Sequence, residues 1–389
     1  MPSMMVVADL HIDVGTYGVT SNGLNTAWRV AHKSWMFSVG EAIRREVDVL
    51  VVLGDMFDTG RPWVEAIQLF KDGLDLAASA NLPVVLVGGN HELSPREVGH
   101  RHILEQFSDI RGVHVAHSVP GYLALPGCNL VVVPWPDVTY IVNNMPGADA
   151  SADRMRMQHD WIRMHLDEVT RWADQSSFLV GHLMMDKTKF NSKLLEQSAR
   201  LSFPSLPLST LDGPWTGSIL GHIHLRQNLS DKISYAGCPW TIIRDDAETG
   251  PHGPTLITWD ESGNYTNELI PGPDRKLLVV EVQSEADVRA LKEECRSADD
   301  TSVVMVELHD RELLRDVQEA IPARTVRNIR TKATDSSEVN RSGRVIEHSD
   351  NPIHALQQWM EQEGLDEETA QHVMSVAGNI WDDIRARSR

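Results

Sequence analysis

Five short clusters in this sequence gather carboxylates, an amide and imidazoles: Asp9-Leu10-His11, Gly54-Asp55-Met56-Phe57-Asp58, Gly89-Asn90-His91-Glu92, Gly181-His182 and Gly221-His222-Ile223-His224. Each taken alone reads as an ordinary turn. Together they supply at least two carboxylates, one amide and at least four imidazoles, more than one turn after another should accumulate. Oxygen and imidazole donors without thiolate suit Mn²⁺, Fe²⁺ or Zn²⁺ rather than Ca²⁺ or a structural zinc. The donors are too many for one ion. Two ions about 3.5–4 Å apart, sharing a carboxylate, would use them and would clamp both the attacking and the leaving oxygen of a phosphoryl displacement. The chemistry to expect is metal-assisted phosphoester hydrolysis.

Overall charge points the same way. Lys plus Arg number 36 against 55 Asp plus Glu, a net charge of −19, the wrong sign for coating nucleic acid nonspecifically. A phosphate ligand must therefore meet a local basic stripe or bound metal ions. Three scattered cysteines, Cys128, Cys238 and Cys295, make neither a disulfide framework nor a thiolate zinc site. No apolar run nears the roughly 18 residues of a membrane span, and Met1 to Leu10 lacks the basic flank of a secretory signal. A cytoplasmic protein, in a bacterial cell or a phage-infected host, is expected.

The elements that must position the clusters are strands. At roughly 100–200 residues per domain, 389 residues predict two or three domains. Apolar runs at Met5–Ala8, Val49–Leu53, Pro83–Val87, Leu130–Val133, Phe178–Val180 and Ser218–Leu220 each end in a polar, often glycine-containing cluster, as in α/β sheets. All five clusters sit at or just past the C-terminal ends of these strands, where open α/β sheets place their ligands. Thr26–Arg45 and Trp63–Ala80 carry helical periodicity. Ile233–Ala236 and Thr255–Trp259 read as closing hairpins. After Pro271-Gly272-Pro273, a stiff linker signal, strands at Lys276–Val282, Ser302–Leu308 and Arg324–Ile329 alternate with helices at Glu285–Cys295 and Arg311–Ala320. Two further helices are predicted, from Asn351 to about Gln362 and over Asp366–Arg387.

The five blocks, in this order, resemble the signature of the calcineurin-like metallophosphoesterases. Gly54-Asp55-Met56-Phe57-Asp58-Thr59-Gly60, and Gly221-His222-Ile223-His224 followed by Tyr235-Ala236-Gly237-Cys238-Pro239, narrow the likeness to the SbcD-type DNA exonuclease subunits. The resemblance implies an α/β metallophosphoesterase sandwich, two β-sheets flanked by helices, followed by a small α/β capping domain and C-terminal helices. The divisions would be 1–272 for the nuclease domain, 273–345 for the capping domain and 346–389 for the helices. It implies Asp9, His11, Asp55 and His224 around one metal and Asp55, Asn90, His182 and His222 around the other, with Asp55 as bridge and Mn²⁺ the first choice of ion. His91 matches the family's catalytic histidine, placed to protonate the leaving oxygen or to stabilise the pentacovalent phosphate. Two positions depart from the pattern: Asp58 stands where some relatives carry histidine, and Cys238 where many carry serine. The implied function is DNA exonuclease and endonuclease activity in repair or recombination, with DNA, an SbcC-like coiled-coil ATPase and a second copy of the chain as partners. The alternative is a phosphoesterase for a small nucleotide or a phosphoprotein.

Other features remain open. Residues 324–344 carry six Lys or Arg against two acids; Arg324, Arg327 and Arg330 there are either a solvated face or phosphate contacts. Trp135, between Pro134 and Pro136, is read as a packing residue of a rigid loop, with base stacking the other choice. The terminal helices can dock on a partner or on the chain itself.

Overall fold

A computed structural model describes residues 1–331, apart from 17, 19, 22–23, 94–101, 146–152, 191, 193–202 and 324. The terminal helices expected over Asn351–Arg387 lie outside the described residues. The apolar runs form strands because nearly every residue in them is buried on both faces, and parallel strands covered on two sides read as continuous hydrophobic stretches. The strands are β1 (Ser3–Ala8), β2 (Thr20–Ser21), β3 (Leu24–Asn25), β4 (Val49–Leu53), β5 (Val84–Val87), β6 (Val113–Ala116), β7 (Gly121–Leu125), β8 (Cys128–Val133) and β9 (Ser177–His182). They continue with β10 (Ser218–Gly221), β11 (Gln227–Asn228), β12 (Ile233–Tyr235), β13 (Thr255–Trp259), β14 (Tyr265–Leu269), β15 (Leu277–Val282), β16 (Val303–Leu308) and β17 (Val326–Thr331).

Two six-stranded sheets result, in the orders β14-β13-β1-β4-β5-β6 and β11-β12-β10-β9-β8-β7. Strands β1, β4, β5 and the edge strand β6 run parallel, as do the inner strands β8, β9, β10 and β12. The late strands do close as hairpins, but in different sheets: β11–β12 ends the second, and β13–β14 returns to pair beside β1 in the first. Alternation along β1 shows the layering. Met4, Val6 and Ala8 face the second sheet, meeting Leu130, Phe178 and Ile219 in one buried cluster. Met5 and Val7 face outward, onto helices α1 (Thr26–Arg44) and α2 (Val64–Ser79). The outer face of the second sheet is covered by α3 (Val138–Asn144) and α4 (Arg154–Val169). The order of layers is helix, sheet, sheet, helix.

β15, β16 and β17 make a separate three-stranded parallel sheet with a core of its own around Val304, Val306, Leu291 and Val317. Residues Met1–Lys332 pack as one unit, and ion pairs Arg29–Asp300 at 2.7 Å and Arg244–Glu307 at 3.7 Å tie the small sheet to it. Gly272 in the Pro-Gly-Pro segment donates its N–H to the His252 carbonyl at 2.8 Å, so the linker is pinned along its course. Among the described residues no helix is long and apolar enough to cross a membrane.

Candidate metal centre

Because the inner strands of each sheet are parallel, the ends of β1, β4 and β5 lie at one edge of the first sheet, and those of β9 and β10 at one edge of the second. The loops are joined beyond the strands: Asp9 N–H donates to the Gly54 carbonyl at 3.2 Å and His11 N–H to the Asp55 carbonyl at 2.9 Å. Gly54 has φ +73°, and any Cβ there would collide with the His182 imidazole of the other sheet; a Cβ on Gly89 would collide with the Asp55 carboxylate. Glycine is what lets the two edges meet. Asp9, His11, Asp55 and His222 all have positive φ, 52°, 43°, 49° and 97°, a conformation non-glycine residues hold only when their surroundings impose it.

All seven sequence-predicted ligands come together. Asp9, His11 and His224 form one group and Asp55, His182 and His222 another, the ligating atoms of each lying within 4.8 Å of one another. Asn90 belongs with the second, its Oδ1 lying 3.1 Å from His182 Nε2 and 2.8 Å from His222 Nδ1. Asp55 stands between the groups: its Oδ2 is 3.2 Å from His182 Nε2 and 3.8 Å from His11 Nε2. His91 is here too, 4.0 Å from the same oxygen through Nε2. Its Nδ1–H donates to the Asp58 carbonyl at 2.9 Å, which leaves Nε2 facing the site. Arg327 and Arg330 lie exposed on β17 of the small sheet, while Arg324 is outside the described residues.

The donor set fits divalent metal ions. Asp9 and Asp55 are carboxylates with 0% and 2% of their surface exposed, and a buried carboxylate needs a cation or strong donors. Burial, with Asp55 nearby, pushes the Asp9 carboxyl above its usual range although His182 and His224 oppose it. Burial works against the ionised form of Asp55 as well, but the His182 imidazole outweighs it and holds Asp55 well below the usual range. Burial and then His182 push His222 down to about 3, leaving it the neutral ligand a metal requires. Burial alone would lower His182 and His224 too; the facing carboxylates, Asp55 and Asp246 respectively, instead carry each up to about 9. Without a metal these two imidazoles hold protons that an ion must displace.

Several supporting residues escaped sequence reasoning. Asp246, on a short 3₁₀ turn (Arg244–Glu248), sets both carboxylate oxygens 3.2 Å from His224 Nδ1 while Oδ2 also accepts from the N–H groups of Ile242 and Ile243. With Nδ1 so engaged, Nε2 is the nitrogen His224 turns to the Asp9 and His11 group, the usual way a carboxylate orients a ligating histidine. Glu92, fully buried, accepts from the N–H groups of Asp55, Phe57 and Gly89 at 3.0, 3.0 and 2.8 Å, binding the second and third clusters to each other. Asp58, the departure from the family pattern, places Oδ1 3.2 Å from His11 Nδ1 and 3.7 Å from His91 Nδ1. Trp135 is a packing residue: 7% exposed, its ring lies 4.9 Å from that of His222 and 6.0 Å from that of His182. Cys238, also buried, donates its N–H to the His224 carbonyl.

Residues 3–226, more than half of the sequence, match the family model described as calcineurin-like phosphoesterase. The chain belongs to that family. Within it, this phosphoesterase is 22% identical over 210 residues to the DNA double-strand break repair protein Mre11 of Thermoplasma acidophilum, covering 53% of this chain and 49% of that one. It is 34% identical over 111 residues to a subunit of the SbcCD nuclease of Rhodobacter capsulatus, 28% of this chain and 25% of that one. The chain thus spans about half the length of the first of these relatives and less of the second. A dimetal phosphatase from Danio rerio aligns with 67% of this chain and 93% of its own at 15% identity and a TM-score of 0.40.

Proposed function

We propose that this phosphoesterase is a metal-dependent DNA nuclease of the Mre11 and SbcD kind, hydrolysing phosphodiester bonds in DNA repair or recombination. The observation that carries the reading is the position of Asp55 between two ligand groups with His91 facing the same oxygen, the arrangement a phosphodiester and its leaving group require. Two divalent ions, Mn²⁺ in the first instance, would be held by Asp9, His11, Asp55 and His224 and by Asp55, Asn90, His182 and His222. Ions bound there supply a nucleophile at neutral pH and offset phosphate charge. The chain's own contribution is to hold and orient. Asp246 and Leu53 fix the tautomers of His224 and His182 from behind. Burial alone would lower His91, but Asp55 and the Asp58 carbonyl outweigh it and raise its pKa above the ordinary value, which favours the protonated imidazole whose Nε2–H can serve the departing oxygen.

DNA as substrate rests on the names of the relatives. The coiled-coil ATPase partner, the homodimer, the division at 272 and 345, and a cytoplasmic setting follow from the same kinship. A small nucleotide is the second reading, favoured by the active-site cavity, whose lining among the described residues has a single lysine, Lys189. The test is a Mn²⁺-supplemented digestion of end-labelled single-stranded, duplex and hairpin DNA beside a panel of nucleotides and a phosphopeptide, with Asp55→Ala as control. Cleavage of DNA that Asp55→Ala abolishes supports the nuclease. Turnover of the small substrates with intact DNA overturns it.

A further inference from the structure

The cavity above the ligands, about 320 Å³, has walls that the metal chemistry does not need. Val14, Ile242 and Ile243 form one flank and belong to the core between the first sheet and its helices. Phe190, Phe203 and Leu225 form the other and pack against the core outside the second sheet. The cavity is thus a slot between two apolar surfaces, one from each side of the sandwich, with the ligands along its floor. Phe190, Phe203, Leu225 and Ile243 are only half-buried, so apolar surface remains for a ligand to cover. Phe203 stands edge-on over His222, ring centres 4.9 Å apart at 89°, which sets the aromatic wall directly beside a proposed ligand. Phe190 is held from its neighbour: Gln227 accepts from the Lys189 N–H at 2.9 Å and donates to the Lys189 carbonyl at 3.0 Å.

We infer that this slot is a nucleobase subsite, receiving one unstacked base of the strand whose phosphate lies over Asp55. The inference rests on the nuclease reading. A phosphodiester bound at the floor must send an ester substituent upward. In DNA that substituent is a sugar bearing a planar apolar-faced base, and aromatic side chains take such bases by stacking without regard to sequence. A paired duplex cannot enter on these terms. Its bases expose no face along their length. The occupant is therefore a base taken out of the stack, at an end, a loop or a single strand.

The test uses single-stranded oligonucleotides that differ by one abasic residue moved along the strand, cleaved by the full chain with Mn²⁺. Cleavage at the one bond whose base would fill the slot should fall about 5- to 150-fold when that base is missing, the range a stacked base is worth, and other bonds should not follow it. In Phe190→Ala the intact strand should lose at least fivefold more rate than the abasic strand. Phe190→Leu, which keeps apolar bulk and removes the ring face, should behave in the same sense. Equal cleavage of intact and abasic strands at every bond by the unaltered protein overturns the subsite and leaves the nuclease reading standing. Hydrolysis of bis(p-nitrophenyl) phosphate with no cleavage of any DNA overturns both.

Discussion

Replacing Asp246 with asparagine should weaken one metal ion and spare the other. Oδ2 of Asp246 accepts from the N–H groups of Ile242 and Ile243 at 3.1 and 2.8 Å while both oxygens face His224 Nδ1 at 3.2 Å. An asparagine has one oxygen, and the two backbone donors claim it. Its NH₂ then points at His224 Nδ1, and a donor facing Nδ1 selects the tautomer with the proton on Nε2. That is the nitrogen needed by the ion of Asp9 and His11. Loss of such an orienting partner typically costs 10- to 100-fold in metal affinity, about 1.4–2.8 kcal/mol. Asp246→Ala is the poorer probe, because it also orphans two backbone N–H groups at roughly 1–3 kcal/mol each and should lower the melting temperature. The assay is calorimetric titration of the metal-free protein with Mn²⁺, checked by metal analysis after dialysis. One of two binding events should weaken by that factor. Two events at unaltered affinity in a folded Asp246→Asn protein would refute the orienting role.

Three further outcomes are expected. His91→Gln should keep both metals by elemental analysis while hydrolysis falls about 10²- to 10⁴-fold; normal turnover, or lost metal, would remove His91 from proton transfer. Arg327→Ala with Arg330→Ala should weaken DNA binding for all sequences and flatten its salt dependence, and an unaltered salt titration would return these exposed residues to a solvated face. In the metal-free protein His182 and His224 are raised to about 9, so their contribution to stability is complete below the unfolded value near 6.5 and is lost as pH rises through about 9. The melting temperature should therefore fall over that window while Mn²⁺ affinity climbs, and a flat profile in both would contradict the assignment.

The candidate ligands were legible because strand ends announce them: β1, β4, β5, β9 and β10 are apolar on both faces, so the first polar residues after each stand out. Strand existence was legible for the same reason. Edge strands were not. β7 and β14 include exposed positions and β6 is half-buried over three of its four, and periodicity weakens where one face meets water. Nor does chain order say where one sheet stops, since β12 and β13 follow each other yet pair in different sheets. Asp246 was invisible for another reason. It lies on a 3₁₀ turn after no apolar run, 22 residues from the histidine it orients, and only the fold brings the two together. Glu92 was in plain view within Gly89-Asn90-His91-Glu92, but its task, accepting three backbone N–H groups, leaves no mark in residue spacing.

The division of the ligands between the sheets carries a consequence for assembly. Asp9, His11, Asp55 and Asn90 follow strands of the first sheet, and His182, His222 and His224 end or follow strands of the second. Neither half of the sandwich holds a complete set for either ion, and the residues that must meet are as distant in sequence as Asp9 and His224. On the proposed assignment, full metal affinity would thus develop only after the two sheets have docked face to face. Whatever binds the docked state and not the open one stabilises it in proportion to the logarithm of its concentration, so ions held by the proposed ligands would act as rivets through the seam of the sandwich. A chain that has been synthesised only as far as β9 carries carboxylates and an amide but lacks the imidazoles that follow β10. On the proposed ligand assignment, hydrolytic competence would arrive late, with the docking of the second sheet.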